Sequence, residues 1–301
     1  MPEGRGVPAP TGFDRRLDLA ADLTVVRAAN PGPMTLDGTR SYVLGRRRLL
    51  IVDPGPDDPS HLAALAEVVE RRAVSAIVLT HAHRDHAGGA RAAAERFGAP
   101  VAGSADTLSR LGSAVATGRA LEDGETLSPE ADTSLTAVHA PGHSADHVCY
   151  LGAPGRRLFT GDLVLGEGSS AILHPDGRVS DCLASLARLI ALRPALLLPG
   201  HGPPVEAAVR RLEDYRRHRL ARDRQVREAI EAGARTVPEV RERVYGALAP
   251  GLERAAEANV AAHLAALAER QVAVPAYDGF GFDEGRLLER DAAGDAEDGT
   301  R

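Results

Sequence analysis

The chain has 301 residues, 44% of them hydrophobic, which is enough for one large domain or two smaller ones with a sizeable core. Its net charge of −6 argues against a general nucleic-acid binder. Two cysteines, Cys149 and Cys182, are too few for a disulfide framework. The N-terminal residues lack the apolar stretch of a secretion signal, and no apolar run reaches about 18 residues. We therefore expect a cytoplasmic protein that does not contact the membrane.

Strand-like runs alternate with amphipathic helices through the first two thirds of the chain. Residues 1–15, rich in Pro and Gly, are predicted to be disordered. The runs LTVVR (23–27), SYVLG (41–45) and SAIVL (75–79) predict strands, and SHLAALAEVVERRA (60–73) predicts a helix. This mixture continues to residue 205 and predicts an α+β fold in which sheets pack face to face with helices outside.

The pattern changes near residue 205. Three helical segments follow, with Val226 and Ile230 in the apolar stripe of the first and Val260 and Leu264 in that of the third. The run QVAV (271–274) predicts a short terminal strand. Together these elements predict a winged-helix-like domain over residues 206–275, after a larger domain over 16–205. Residues 276–301, rich in Gly and Asp, are predicted to form a flexible acidic tail.

The stretch LTHAHRDHAGGA (79–90) crowds four side chains with affinity for metals onto the end of a predicted strand. In an extended segment the side chains at i and i+2 point the same way, so His81 and His83 can hold one cation. Asp85 and His86 follow after the chain turns and can face a second cation. A solvated polar loop is the alternative interpretation, but it leaves unexplained three further strand ends that carry such residues. Those ends are APGHSADH with His143, FTGD with Asp162 and LLPGHG with His201.

Five histidines and two aspartates suit two borderline cations, so we expect two Zn²⁺, with Fe or Mn able to use the same ligands. These motifs resemble the metallo-β-lactamase superfamily in its two-metal hydrolase branch, from about residue 20 to residue 205. The resemblance implies an αββα sandwich and the following roles. His81, His83 and His143 would hold the first metal, Asp85, His86 and His201 the second, and Asp162 would bridge both. The same resemblance implies that Asp53, in IVDPG, supports the metal loop from behind.

Further segments resemble the beta-lactamase-like protein 2 group, which pairs the hydrolase domain with a winged-helix domain. They are NPGPMTLDGTRSYVLG, GDLVLGEGSS, LLPGHGPPV and AEANVAAHLAAL. One member type of that group is regarded as a single-strand-specific endoribonuclease, and related enzymes cleave thioesters of acyl carrier proteins. The chain departs from the group at Arg40, where Asn is usual, in a segment expected near the pocket, so the resemblance does not fix its substrate. Asp146 and His147 follow His143 closely but have no ligand role in the group, and we interpret them as supporting residues.

Two cations that share a water lower the pKa of that water from 15.7 toward about 7. The expected enzyme therefore uses a metal-bridging hydroxide on an ester, thioester or phosphodiester, with Asp85 and Asp162 as catalytic residues. A single-strand-specific endoribonuclease is one alternative, since residues 210–227 hold eight Arg against three acids. A winged-helix DNA-binding regulator with a metal-domain sensor is a second alternative, from a different class. The expected partners are a small acyl substrate or single-stranded RNA, together with a second copy in a homodimer.

Overall fold

The computed structural model describes residues 15–115, 118–248 and 251–270. In these residues the strands form two β-sheets. The strands are β1 (Arg16–Ala20), β2 (Leu23–Arg27), β3 (Arg40–Leu44), β4 (Arg48–Val52), β5 (Ala73–Val78), β6 (Val101–Gly103), β7 (Arg119–Ala120), β8 (Thr126–Glu130), β9 (Thr133–His139), β10 (Val148–Ala153), β11 (Arg157–Gly161) and β12 (Leu196–Pro199). The first sheet runs β1-β2-β3-β4-β5-β6-β7, and the second runs β12-β11-β10-β9-β8.

Helices cover the outer faces of both sheets. The helices are α1 (Pro59–Val69), α2 (Arg84–Ala87), α3 (Ala90–Phe97), α4 (Ala105–Leu111), α5 (Val179–Ala191), α6 (Ala208–Glu231), α7 (Val237–Tyr245) and α8 (Glu253–Glu269). Helices α1 and α3 pack on the first sheet, and α5 packs on the second. The predicted α+β sandwich, with sheets inside and helices outside, is therefore confirmed.

Alternation of side chains along each strand decides which core a residue joins. On β4, Leu50 and Val52 pack between the two sheets, whereas Leu49 and Ile51 pack under the helices of the first sheet. Both faces of this strand are thus covered, which is why RLLIV reads as a continuous apolar run rather than an alternating one.

Two tyrosine hydroxyls cross the space between the sheets in opposite directions. Tyr42 on β3 donates to the carbonyl of Pro199 on β12 at 2.7 Å, and Tyr150 on β10 donates to the carbonyl of Leu79 at 2.7 Å. Both acceptors lie at the carboxyl ends of strands, next to His201 and the His81 segment respectively. Each sheet is therefore joined to the other close to the residues predicted to bind metal.

The three C-terminal helices share a small core that includes Val226, Val240 and Leu264. Helix α6 also packs against the layer under the second sheet, through Leu212 and Tyr215. The predicted strand 271–274 and the acidic tail lie outside the described residues, as does almost all of the predicted disordered segment 1–15. The winged-helix-like character of this unit and the boundaries 16–205 and 206–275 therefore stay predictions. Among the described helices, none is long and apolar enough to span a bilayer.

Candidate metal centre

The seven predicted ligand residues come together at one edge of the sandwich. His81 and His83 follow β5, and the chain then turns into α2. The sequence predicted only a turn there, whereas Asp85 and His86 lie on this one-turn helix. The second sheet supplies the rest from the ends of three strands. These are His143 after β9, Asp162 after β11 and His201 after β12.

A first group consists of His81, His83 and His143, whose candidate ligand atoms all lie within 4.8 Å of one another. His81 Nε2 is 2.9 Å from His83 Nδ1, and His143 Nε2 is 3.1 Å from the same atom. Three ring nitrogens therefore converge on one point. This is the juxtaposition that the i and i+2 spacing of the first two histidines predicted.

A second group consists of Asp85, His86, Asp162 and His201, again with candidate ligand atoms within 4.8 Å of one another. His201 Nε2 is 3.1 Å from Asp85 Oδ2, and His86 Nε2 is 3.2 Å from Asp162 Oδ1. Asp162 Oδ2 is 3.4 Å from His201 Nε2 and 3.8 Å from His143 Nε2. The Asp162 carboxylate thus lies between the two groups.

Hydrogen bonds behind the cluster fix which ring nitrogens face it. His86 Nδ1 must donate to the Asp53 carboxylate at 2.9 Å, and His143 Nδ1 must donate to the carbonyl of Ala171 at 2.8 Å. Since the Thr80 hydroxyl donates to Asp53 at 2.7 Å, it accepts from His81 Nδ1 at 2.9 Å. In each of these three rings the Nε2 lone pair is therefore left for a cation.

Asp53 itself occupies a left-handed backbone conformation, with φ of 51°. Its carboxylate accepts from the backbone N–H of Thr80 at 2.7 Å in addition to the Thr80 hydroxyl and His86. One buried carboxylate therefore orders both the end of β5 and a ring of the second group. This contact set agrees with the supporting role that the motif IVDPG implied.

Asp146 and His147 contact the backbone that carries the cluster. Asp146 accepts from the N–H of Ala82 at 2.8 Å and from the hydroxyl of Thr107 at 2.9 Å. His147 Nε2 accepts from the N–H of Asp162 at 3.2 Å. These contacts are those of supporting residues, as interpreted from the sequence.

Gly200, which was not among the predicted site residues, makes room for the cluster. A Cβ added there would lie 2.4 Å from His86 Cε1 and 2.7 Å from Asp162 Oδ1. Only glycine fits at this position without displacing a site residue. The PGHG motif around His201 carried the signal, because a glycine next to a candidate ligand indicates close approach of the backbone.

The electrostatics of the two groups differ. Burial, reinforced by the neighbouring imidazole of His143, lowers the pKa of His83 to about 4, and burial lowers the pKa of His81 well below its ordinary value. Both rings are neutral at pH 7, the form that binds a cation. In the second group burial opposes ionisation, but the charges of His86 and His201 outweigh it and hold the pKa of Asp162 well below its usual range.

The pKa values of His201 and His86, the partners of the Asp162 carboxylate, are raised. Burial would lower the pKa of His201, but Asp162 and Asp85 outweigh it and raise the pKa to about 9. The pKa of His86 is likewise raised well above its ordinary value, because Asp162 and Asp85 overcome its burial. The second group therefore draws positive charge to itself, as protons or as a cation.

The residues present fit a pair of metal ions. Imidazole nitrogens and carboxylate oxygens are the ligands of zinc and similar cations. In addition, Asp162 Oδ1 is buried, and among the described residues no well-aligned hydrogen bond reaches it, although His86 Nε2 lies 3.2 Å away. A buried carboxylate oxygen without a donor is costly, and a cation would satisfy it.

Arg40, the departure from the related group, does not face an open anion site. Its guanidinium donates from both terminal nitrogens to the Asp37 carboxylate, at 2.8 Å each. Its backbone N–H donates to the carbonyl of Gly200 at 2.8 Å, so the residue helps to position the segment that carries His201.

A two-sheet sandwich with helices outside and a histidine–aspartate cluster at the strand ends defines a metal-dependent hydrolase. The model of the metallo-beta-lactamase superfamily matches residues 34–201. The chain belongs to this superfamily.

Named relatives and a solved structure agree with this assignment. The chain is 32% identical to the lactamase-like protein aptB of Emericella nidulans, over 79% of this chain and 78% of that protein. It is 30% identical to a beta-lactamase-like protein 2 homolog of Caenorhabditis elegans, over 73% and 75%. It is also 30% identical to an atrochrysone carboxyl ACP thioesterase of Aspergillus fumigatus, over 74% and 73%. A beta-lactamase domain protein from Burkholderia ambifaria shares the fold, with a TM-score of 0.73, 22% identity and coverage of 85% of this chain and 88% of that one.

Proposed function

We propose that this hydrolase holds two metal ions and cleaves an acyl ester or thioester. His81, His83 and His143 would bind the first ion, Asp85, His86 and His201 the second, and Asp162 both. Zinc is the expected metal, with iron or manganese able to use the same ligands. When bound, such a pair supplies Lewis acidity and an activated water. The observation that carries the proposal is the position of the Asp162 carboxylate, 3.8 Å from His143 Nε2 and 3.4 Å from His201 Nε2.

Within the second group, Asp85 is the residue most accessible to a substrate. Its side chain is 28% exposed, whereas those of His86 and His201 are fully buried. Asp85 lines a cavity of about 490 Å³, together with Arg84, Arg91 and Leu111. Burial would raise the pKa of this carboxylate, but His86 and His201 outweigh it and lower the pKa to about 2. Asp85 is therefore an ionised group, able to orient a nucleophile by accepting a hydrogen bond from it.

Two observations support an acyl substrate over single-stranded RNA. The thioesterase name of the Aspergillus fumigatus relative describes acyl chemistry on the same type of domain. Several arginines of the basic helix α6 also contact the protein itself. Arg211 donates to the carbonyls of Leu165 and Gly168, Arg219 is buried, and Arg222 stacks on Tyr245 with 3.9 Å between the guanidinium carbon and the ring centre. Fewer arginines of α6 therefore remain available to bind the phosphates of RNA.

The DNA-binding alternative requires a helix that can enter a groove. Helix α8 is buried along most of its length, and its buried residues include the four consecutive positions 258–261, which point to all sides of the helix. It contributes to both the small core and the layer under the second sheet. A helix enclosed in this way has little surface to offer base edges, so we do not favour a regulator.

Metal analysis combined with a substrate panel tests the proposal. The purified chain should contain about two metal ions per molecule and hydrolyse acyl thioesters or esters. Asp162→Asn should lower both the metal content and the hydrolysis, whereas Asp214→Asn, on the partly exposed surface of α6, should change neither. Full activity after complete chelation would contradict the proposal. Cleavage of single-stranded RNA without acyl hydrolysis would favour the endoribonuclease alternative.

A further inference from the structure

A second cavity, of about 210 Å³, lies between the C-terminal helices and the loops around the metal centre. One wall includes Ala171, whose carbonyl accepts from the His143 ring. Another wall includes Leu36, and the carbonyl of Gly38, two residues further on, lies 3.4 Å from His201 Nδ1. The two loops that line the cavity therefore also contact His143 and His201 of the metal centre.

A buried cation lines this cavity. Arg219 on α6 is only 2% exposed, and it faces the cavity beside Asn259. Its Nη2 donates to the carbonyl and the hydroxyl of Ser170, at 2.5 and 2.9 Å, and its Nη1 lies 3.5 Å from Asn259 Oδ1. The Cys182 thiol is a further neutral neighbour. The Nε atom of Arg219 has no hydrogen-bond partner in the described part of the chain.

Within the described residues no carboxylate forms an ion pair with Arg219. The acid one turn further along α6, Asp223, pairs instead with Arg270 at 2.7 Å and with His263 at 3.5 Å. Glu167 also lines the cavity, but it is exposed and does not reach the guanidinium. A buried charge that meets only neutral dipoles is costly, since neutral hydrogen bonds recover only part of its lost hydration.

The remainder of the cavity wall is largely apolar and includes Met34, Leu36, Leu165 and Leu252. We propose that this cavity is a subsite for a carboxylate at the end of an apolar chain, with Arg219 as the group that binds the carboxylate. Assigning this ligand to the hydrolysed substrate rests on the proposed function. Together the two sites select an acyl compound that carries a negative charge away from the bond to be cleaved. Guanidinium and carboxylate match in geometry as well as in charge.

Binding of hexanoate and of its neutral analogue hexanamide tests the subsite. In calorimetric titrations of the full-length, metal-loaded protein, hexanoate should bind on the order of tenfold to a hundredfold more tightly than hexanamide, the range expected of charge-assisted hydrogen bonds. Arg219→Gln should remove that difference, and Arg219→Lys should keep part of it. Arg217→Gln, on the exposed side of the same helix, should leave both affinities unchanged.

A second variant covers the case in which Arg219→Gln does not fold. Ala255→Leu leaves Arg219 in place and narrows the cavity from α8, so it should weaken both probes. The subsite is refuted if hexanoate binds no better than hexanamide, or if its affinity survives Arg219→Gln or Ala255→Leu, because the carboxylate would then rest on the metal ions or elsewhere. Inorganic phosphate that binds more tightly than hexanoate would also overturn the carboxylate assignment. Loss of the subsite with acyl hydrolysis intact refutes this inference alone, whereas absence of acyl hydrolysis refutes the proposed function.

Discussion

Removing the Asp53 carboxylate should weaken metal binding and stability by separable amounts. In Asp53→Ala three buried donors lose their acceptor: the N–H of Thr80 at 2.7 Å, the hydroxyl of Thr80 at 2.7 Å and the ring of His86 at 2.9 Å. Each buried donor left unsatisfied costs about 1–3 kcal/mol, so the free energy of unfolding should fall by at least about 3 kcal/mol. Loss of an outer hydrogen bond to a ligand typically costs about 10–100-fold in metal affinity.

The isosteric change Asp53→Asn separates these effects. The amide oxygen can still accept from the N–H of Thr80, so the stability loss should be only about 1 kcal/mol. The amide nitrogen now faces His86 Nδ1, which can no longer donate there. The proton then moves to His86 Nε2 and occupies the lone pair that faces the cluster, so metal affinity should still fall about 10–100-fold.

Urea unfolding of the metal-free protein and competition of the metal with a chelating dye measure the two quantities. Asp106→Asn, an exposed carboxylate on α4, serves as the matched control and should alter neither. The reasoning is refuted if Asp53→Asn binds metal as tightly as the wild-type chain, because the outer hydrogen bond would then not set the state of the ring.

Three further outcomes are expected. Gly200→Ala should abolish metal uptake in elemental analysis, because its Cβ would lie 2.4 Å from His86 Cε1, whereas Gly103→Ala, with its nearest contact at 3.5 Å, should bind metal normally. Chelation should lower the melting temperature, and added Zn²⁺ should restore it in proportion to RT ln(1 + [L]/Kd); a melting temperature indifferent to chelator would contradict a resident ion. Burial would raise the pKa of Asp37, but hydrogen bonds from Arg40 and Arg27 outweigh it and lower the pKa to about 2. The folded state should therefore lose stability as pH falls from about 4 toward 2, and urea titrations should show a shallower loss in Asp37→Asn.

The sandwich and its cluster were predictable because their signals are local in the sequence. Continuous apolar runs such as that of β4 predict strands that are covered on both faces. The candidate ligand residues follow such runs in the sequence. His143 and His201 follow strands of the same sheet that end at one edge, so their proximity could be expected from their positions. His81 follows a strand of the other sheet, so its approach to them depends on how the two sheets pack.

What the sequence could not supply depends on contacts between distant segments. Arg219 falls in a basic helix whose composition favours a solvated face, yet packing of α8 and the loop at Ser170 buries it. Arg40 could likewise be taken for an anion-binding residue until Asp37 is seen to hold its guanidinium. Neither the burial of Arg219 nor the ion pair of Arg40 leaves a periodic pattern in the sequence, because each depends on the position of a neighbouring loop. The one-turn helix under Asp85 was missed because four residues are too few for helical periodicity.

The hydroxyls of Tyr42 and Tyr150 also bear on how substitutions in the protein interior would affect metal binding. His81, His83, Asp85 and His86 travel with one sheet, and His143, Asp162 and His201 travel with the other. Tyr42 and Tyr150 tie the layers together beside these residues, at 2.7 Å each. Deleting either hydroxyl would let one layer slip relative to its partner by amounts too small to unfold the chain but large enough to change the spacing between the two halves of the ligand set. Replacing Tyr42 or Tyr150 by Phe should therefore first lower the amount of bound metal, while the protein stays folded.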